Sequence, residues 1–270
     1  MKSNKELNTD WRKVASTIYK KPIDSKIYGE VELDVTELEK FISEKRKEGL
    51  KITLTHIFVL ILARGLKTVV PELNVYIRRG KVVQRPSIDG VVSVLKANGD
   101  MSSIKIPDTD KMSLKDLQEV MQDEIQKSRK GDENTSMQSK NFLAKLPWPI
   151  RNWFFKVYTI LTVHWGLSVP FLGVSANSFG SYLVTNIGSI GLEKGYPALL
   201  PSSNLAFVFV MGGVKKKPVV VNDEIVIRRM INITAVMDHR IVDASHGGRM
   251  FRFIRQLMQH PEELLQRVFV

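Results

Sequence analysis

An α/β fold, in which one β-sheet is covered by helices, is the class that this sequence of 270 residues predicts. Segments that alternate apolar and polar residues, as half-buried strands do, recur in both halves of the chain. Other segments space their apolar residues as one face of a helix does. With 43% hydrophobic residues, the chain can bury a sizeable core and lies near the upper length limit for one domain. We therefore expect one compact domain.

Residues 11–70 predict one strand and three helices, the first of which has the apolar spacing of a short helix over 11–21 and ends at Pro22. Lys26–Asp34 alternates as a half-buried strand does. Thr36 is placed to cap a helix that runs to about residue 48, with Gly49 as its natural stop. Residues 55–70 are apolar on most faces, which predicts a buried helix that ends before a proline.

The remaining elements complete the predicted sheet. The run at 205–211 is apolar on both faces and is therefore predicted to be a central strand. Lys215, Lys216 and Lys217 lie between two apolar runs and predict a solvated hairpin turn. After Asp243 the apolar spacing becomes helical. Further strands are predicted around residue 82 and over 91–95, 104–106, 181–187, 219–221 and 231–237, and an exposed helix over 113–130.

Residues 142–171 crowd aromatic and aliphatic side chains together. Prolines and charged residues interrupt the segment, so it contains no clean apolar run of about 20 residues and does not predict a transmembrane span. We predict a helix whose apolar face covers the core. A membrane-surface helix and a lid over a pocket are the alternatives.

Composition narrows the classes of partner and chemistry. A formal charge of +12 favours a polyanion such as nucleic acid, an anionic membrane or a phosphorylated cofactor, but no nucleic-acid-binding motif is recognisable, so nucleic acid is not expected. Without cysteine there is no disulfide, no thiolate metal site and no cysteine nucleophile, which fits a reducing compartment. Residues 1–10 are polar and predict a mobile tail without a secretion signal, which favours a cytoplasmic protein.

The segment DHRIVDA contains the most interesting candidate for a reacting group. It places His239 at the end of a predicted buried strand and the carboxylate of Asp243 four residues later, and strand ends commonly hold reacting groups. On spacing alone, a structural role and a metal pair both stay open. A third metal ligand is not identifiable, so no metal is expected.

Several stretches together resemble one family. DHRIVDA resembles the DHRxxDG signature of the catalytic domain of 2-oxoacid dehydrogenase acyltransferases, whose superfamily includes chloramphenicol acetyltransferase. YLVTNIGSIG resembles the family's FTISNLGxxG strand and turn, and LKITLTHIFVLILARGLKTVVPELN resembles its buried helix followed by PELN. WRKVAS resembles the RKxxA helix, and HGGRMFRFIRQLMQHPEELL the closing helix. The resemblance covers nearly the whole chain, residues 142–171 least.

The resemblance implies a fold and an assembly. We expect a chloramphenicol acetyltransferase-like two-layer sandwich over residues 11–270, with a mixed β-sheet, helices packed on it and 142–171 as an aromatic insert. It also implies a homotrimer, or a larger assembly of trimers, with active sites between subunits.

The chemistry that the resemblance implies is acyl transfer between coenzyme A and a thiol acceptor such as a dihydrolipoyl group. His239 would be the general base that takes the proton of the attacking thiol. Thr185 would donate to the oxyanion of the tetrahedral intermediate. Asp243 would hold the histidine loop through a salt bridge to an N-terminal arginine, for which Arg12 is the candidate, and Arg240 would support the same loop.

Three departures from the family pattern stand out. Ala244 replaces the glycine of the signature, which would strain a turn that needed a positive φ. Thr185 replaces serine, which keeps the hydroxyl and adds a methyl group. Finally, 270 residues leave no room for the lipoyl domain that family members often carry. Asp110-Lys111-Met112 resembles a lipoylation turn but precedes a predicted helix, so we expect no covalent lipoyl group on this chain.

The sequence therefore predicts a stand-alone acyltransferase that meets its dihydrolipoyl groups on a separate protein. Two alternatives remain open. One is transfer from an acyl-coenzyme A to a hydroxyl or amine of a small molecule, and the other is a catalytically silent trimeric scaffold.

Overall fold

The structure, a computed structural model, describes residues 25–95, 99, 101–130, 147, 150–168 and 179–265. The predicted tail at 1–10, the predicted helix at 11–21 with Arg12 and residues 131–146 lie outside these residues. In the described part, the strands are β1 (Lys26–Asp34), β2 (Val75–Arg78), β3 (Lys81–Gln84), β4 (Gly90–Leu95), β5 (Met101–Ile106), β6 (Tyr182–Asn186), β7 (Phe207–Val221) and β8 (Glu224–Asp238). The α-helices are α1 (Thr36–Lys47), α2 (Leu54–Thr68), α3 (Leu114–Lys130), α4 (Ile150–Thr159) and α5 (Ala244–Gln259).

Six strands form one mixed sheet in the order β1-β8-β7-β6-β4-β5. The strands β4, β6 and β7 run parallel to one another, whereas β1 pairs with β8, β8 with β7, and β5 with β4 in the antiparallel sense. The hairpin of β2 and β3 stands apart from this sheet. The predicted mixed sheet is confirmed.

Helices α1, α2, α3 and α5 pack on one face of the sheet. On β7, Phe207, Phe209 and Met211 point into the main core, together with alternate residues of β8. Helix α2 is buried on all sides over residues 56–66, as its apolar periodicity predicts. On the opposite face, Val208 and Val210 form a smaller cluster beneath the segment that joins β6 to β7.

The prediction of a turn at Lys215, Lys216 and Lys217 is wrong. These residues lie inside β7, which pairs with β8 as far as a turn at Asn222 and Asp223, where φ is 51° and 66°. Beyond residue 214 the two strands extend as a ribbon, residues 215–229, in which no residue is buried. Because this ribbon has no buried face, lysines replace the apolar alternation that identifies a strand, and the run resembles a turn.

A β-bulge separates the ribbon from the sheet, between Met211 and Val214. The bulge allows another segment to approach closely, since a Cβ atom built on Gly212 would lie 1.9 Å from the main-chain oxygen of Glu193. Only glycine fits there, and the turn after β6 is thereby held against β7.

The capping role expected of Thr36 also differs from the structure. The residue that caps α1 is Val35, and Thr36 is the first helical residue. The Thr36 hydroxyl instead accepts a hydrogen bond from the backbone N–H of Arg229, at 3.1 Å, which joins the start of α1 to β8.

The aromatic segment does form a helix, but its apolar face does not cover the core, contrary to our expectation. Helix α4 continues into a π-helix over Ile160–His164, of which Thr162 and Val163 are the buried residues. Trp153 is 67% exposed and Trp165 is 51% exposed. The element beneath the segment is the small β2–β3 hairpin, which is too narrow to bury an aromatic helix. No helix in the described ranges combines the length and apolarity needed to cross a bilayer.

Candidate active site

His239 lies in a tight turn that follows β8. Its backbone N–H donates to the carbonyl of Ser25, at 2.8 Å, just before β1 begins. The N–H of Val242 donates to the carbonyl of Asp238, also at 2.8 Å. These hydrogen bonds hold the turn against the start of β1 and the end of β8. They therefore fix the position of the main chain that carries the imidazole.

The imidazole of His239 is held by the main chain. Its Nδ1 atom lies 2.9 Å from the carbonyl oxygen of Val242. Because a carbonyl can only accept, Nδ1 carries the hydrogen in the neutral ring, and Nε2 keeps the lone pair. The side chain is 53% exposed. The arrangement presents an accessible base with a defined tautomer.

Asp243 contributes charge rather than a short hydrogen bond. Its Oδ1 atom lies 3.5 Å from Nδ1 of His239, and its side chain is exposed. Its backbone N–H donates to Nδ1 of His246, at 2.9 Å, as α5 begins. Ala244 is the first residue of α5 and does not have a positive φ, so alanine in place of glycine is not strained and suits a helix.

The side chain of Arg240 binds the carboxylate of Asp238, at the end of β8. Its Nε atom lies 2.9 Å and 3.0 Å from the two carboxylate oxygens of buried Asp238, and Ser25 adds a hydroxyl contact at 3.3 Å. Burial by itself raises the pKa of the Asp238 carboxyl, but the hydrogen bonds from Arg240 and Ser25 outweigh it and hold that pKa below its usual value. Through these contacts Arg240 would support the loop that carries His239, which is the role that the sequence predicts for it.

Thr185 is not brought near His239 within one chain. It lies on β6 in register with Val210 of β7, which pairs with Thr234 of β8. His239 is five residues beyond Thr234 along β8, toward the opposite end of β6. Two inter-strand spacings across and five residues along give a separation of roughly 19 Å. His239 and Asp243 are therefore adjacent, and Thr185 is remote from both.

Three further residues position the loop and were not singled out from the sequence as site residues. Glu72 accepts a charged hydrogen bond from Arg249 and lies 3.6 Å from Nε2 of His246. Arg249 also donates to the carbonyl of Val69, at 3.0 Å. These contacts fasten the start of α5 to the end of α2. The spacing of His246, three residues after Asp243, is a capping-box spacing and could have indicated its role.

The described residues offer no group of three or more His, Asp or Glu side chains that could hold a metal ion. A cleft of about 290 Å³ lies between α2 and the β2–β3 hairpin, lined in part by Asn74, Arg85 and Asp110. It includes neither His239 nor Thr185. This cleft is therefore separate from the candidate base, His239.

Comparisons with known proteins give one family and several relatives within it. The family described as 2-oxoacid dehydrogenases acyltransferase (catalytic domain) matches residues 6–142 and 175–266. The acetyltransferase component of pyruvate dehydrogenase from Acholeplasma laidlawii is 35% identical over 86 residues, 32% of this chain and 15% of that protein. The succinyltransferase component of 2-oxoglutarate dehydrogenase from Haemophilus influenzae is 20% identical over 89% of this chain and 49% of that protein. The chain thus spans less than half of either relative.

Three solved structures share the fold. A probable dihydrolipoamide acetyltransferase from Listeria monocytogenes matches with a TM-score of 0.64 and 20% identity, over 97% of this chain and 96% of that one. The dihydrolipoamide acetyltransferase of Azotobacter vinelandii, studied for the catalytic roles of a serine, a histidine and an asparagine, matches at 0.66 with 15% identity, over 90% and 85%. A chloramphenicol acetyltransferase matches at 0.51 with 12% identity, over 96% and 97%. The predicted fold class is confirmed.

Proposed function

Because the chain belongs to the family of 2-oxoacid dehydrogenase acyltransferase catalytic domains, we propose that it transfers an acyl group between coenzyme A and a thiol acceptor such as a dihydrolipoyl group. The contact between Nδ1 of His239 and the carbonyl of Val242 carries the proposal. In the neutral ring this contact leaves the lone pair on Nε2 of a half-exposed side chain, which is what a general base requires.

The proposed reaction uses His239 twice. Nε2 takes the proton of the attacking thiol, and the sulfur adds to the carbonyl carbon of the thioester. The carbonyl oxygen becomes an oxyanion, to which the hydroxyl of Thr185 donates. When the intermediate collapses, the carbon–sulfur bond of the original thioester breaks and the imidazolium returns its proton to the leaving sulfur. No covalent acyl-enzyme forms, which suits a chain without cysteine.

The proposed site combines two subunits. A separation of roughly 19 Å prevents Thr185 and His239 of one chain from acting on the same carbonyl. We infer that Thr185 comes from a neighbouring copy in a homotrimer or a larger assembly of trimers. The ribbon supports this inference because Val220, Ile225 and Ile227, all at least 70% exposed, lie on one of its faces. Apolar surface of this kind favours burial against a second copy.

The proposed acceptor is a dihydrolipoyl group on a separate protein, met in the cytoplasm. Coenzyme A would serve as a substrate, since thiol exchange through His239 needs no metal. The basic balance of the chain, at +12, complements the phosphates of coenzyme A.

The experiment is an assay of acetyl transfer from acetyl-coenzyme A to dihydrolipoamide. His239→Ala is expected to lower the rate by roughly 100-fold or more, the usual contribution of general-base catalysis. His260→Ala is the matched control, because His260 is exposed and contacts only Glu262 among the ion pairs of the described residues. Rates at the uncatalysed level for both the wild type and His239→Ala would favour a catalytically silent scaffold, and equal rates above that level would remove His239 from the mechanism. Turnover with hydroxyl or amine acceptors but not with dihydrolipoamide would instead favour acyl transfer to a small-molecule hydroxyl or amine.

A further inference from the structure

The aromatic helix, residues 150–165, lies in the part of the chain that the family model does not match. The family match stops at residue 142 and resumes at residue 175. Within this interval, α4 and the π-helix follow one another without a break and extend for about 22 Å. The family match therefore assigns no role to this exposed element.

The aromatic helix is fastened at its C-terminal end. The N–H of Arg79, at the tip of the β2–β3 hairpin, donates to the carbonyl of His164 at 2.7 Å. The Nε atom of Arg78 donates to the carbonyl of Trp165 at 3.1 Å. Thr162 and Val163 are buried at this junction. The helix therefore stands in a defined position and does not trail as a loose arm.

The outward surface of the aromatic helix carries large apolar side chains. Trp153 is its most exposed aromatic residue, and Phe155 stacks on Tyr158 with ring centroids 6.4 Å apart. Ile150 and Trp165 are each more than half exposed. Tryptophan and tyrosine are the side chains that favour the boundary between water and lipid, because their rings are apolar and their N–H or O–H groups remain hydrated.

The charged side chains of the aromatic helix and of the hairpin strands that hold it are all basic. Residues 134–192 contain no Asp or Glu. On the helix, Lys156 is exposed. The hairpin that holds the helix adds Arg78, Arg79 and Lys81 at its tip, and β2 and β3 contain no acidic residue. Cations that flank exposed aromatic rings are the composition of a helix that lies on an anionic membrane surface.

We propose that the aromatic helix and the tip of the β2–β3 hairpin dock the protein on the surface of an anionic lipid bilayer. The helix lies in the plane of the interface, with Trp153 and Trp165 inserted at headgroup depth and Lys156, Arg78 and Arg79 beside lipid phosphates. Binding is peripheral and reversible, since α4 and its π-helical continuation are too short to span a bilayer.

A second copy of the chain is a poorer occupant of this surface. Two copies meeting face to face through the aromatic helix would bring Lys156 and the hairpin arginines of both together, and neither the helix nor β2 and β3 contain a carboxylate to neutralise them. Like charges opposed in this way cost binding free energy. An anionic bilayer supplies both the apolar layer and the counter-charge.

The test measures partition of the full-length protein into sedimented vesicles. Vesicles of phosphatidylcholine with roughly one third phosphatidylglycerol are expected to bind it at about 0.1 M salt, and pure phosphatidylcholine vesicles much less. Raising the salt to about 0.5 M weakens binding because the Debye length shortens. Tryptophan fluorescence of the bound protein shifts to the blue and is quenched by brominated lipid.

Matched variants locate the surface. Trp153→Ser with Trp165→Ser is expected to weaken binding roughly tenfold or more, and Trp153→Phe to retain most of it. Lys156→Gln should weaken it about fivefold, as one cation at the surface does. Met101→Ser, at a half-exposed apolar residue of β5, and Lys47→Gln, at an exposed lysine of α1, are the controls and keep wild-type partition.

Three results would overturn the proposal. One is equal partition of the double tryptophan variant and the wild type, and another is no partition of the wild type into anionic vesicles at low salt. The third is a smaller mass for the double variant in light scattering without vesicles, which would assign the surface to a second copy. The variants change exposed side chains, and an unaltered thermal transition separates loss of binding from loss of folding.

Discussion

The Nδ1 atom of His239 is nearer to the main-chain oxygen of Val242, at 2.9 Å, than to the carboxylate of Asp243, at 3.5 Å. The main chain therefore sets the tautomer, and the carboxylate adds a favourable charge. We predict that Asp243→Asn lowers the transfer rate by less than about tenfold, far less than His239→Ala. Steady-state kinetics of both variants make the comparison. A collapse of activity in Asp243→Asn to the level of His239→Ala would assign the orientation of the ring to the carboxylate.

Thr185 provides a test of the proposed oxyanion donor. Thr185→Val removes the hydroxyl at nearly constant volume and should lower kcat by roughly 100- to 1000-fold, as loss of one oxyanion donor does. Thr185→Ser keeps the hydroxyl and should stay within about tenfold of the wild type. Both variants need thermal melts, because Thr185 is nearly buried in β6. A fully active Thr185→Val would remove this residue from the mechanism.

His56 makes the stability depend on pH below neutrality. Burial lowers the pKa of His56 to about 4 from its ordinary 6.5. Between these values the unfolded chain binds more protons than the folded chain, so the free energy of unfolding falls as the pH is lowered, by roughly 3 kcal/mol in total.

Urea unfolding of the wild type and of His56→Gln at several pH values between 7 and 4 measures this effect. Glutamine can maintain the capping contact that His56 makes with the N–H of Thr53, at 3.2 Å, but does not titrate. The variant should therefore lose less stability across this window. Parallel curves for the two proteins would show that other groups cause the dependence.

The β-bulge gives a prediction about stability alone. Gly212→Ala forces a Cβ atom to within 1.9 Å of the carbonyl of Glu193 and should cost about 3 kcal/mol. Gly248→Ala, in the middle of α5 with its nearest contact at 3.9 Å, should instead stabilise the fold by about 0.5 to 1 kcal/mol. Urea denaturation gives both values. Equal stabilities for the two variants would contradict the close approach at the bulge.

The ribbon gives a prediction about assembly. Ile225→Lys places a charge on the apolar ribbon face and should shift the mass in light scattering toward the monomer, with a parallel loss of acyl transfer. Met101→Lys, at an exposed apolar residue on the far edge of the sheet, is the control. An unchanged mass for Ile225→Lys would place the subunit contact elsewhere.

The sheet and the core helices could be predicted because their periodicity reflects burial. The strand at Lys26–Asp34 was predicted to the residue, and the buried helix α2 within one or two residues at each end. The ribbon could not be predicted from Lys215, Lys216 and Lys217, because strands exposed on both faces have no apolar alternation. The aromatic helix could be predicted as a helix but not placed, because apolar periodicity does not reveal which surface the helix meets.

The candidate site likewise contains contacts that could be predicted from the sequence and contacts that could not. His239, Asp243 and Arg240 lie within one short turn, so their proximity follows from spacing in the sequence. The separation of Thr185 from His239 depends on the order, direction and register of β6, β7 and β8, none of which is encoded in spacing. The contacts of Glu72 likewise depend on how α2 and α5 pack.

A single strand joins the ribbon to His239. β8 runs without interruption for 15 residues, about 50 Å, from the tip of the ribbon to Asp238. A rotation of about 1° at the tip would carry the far end by nearly 1 Å, and a misplacement of about 1 Å can cost a hundredfold in rate. In the proposed assembly, a neighbouring subunit that binds the ribbon would therefore influence the position of the His239 imidazole through the backbone of β8.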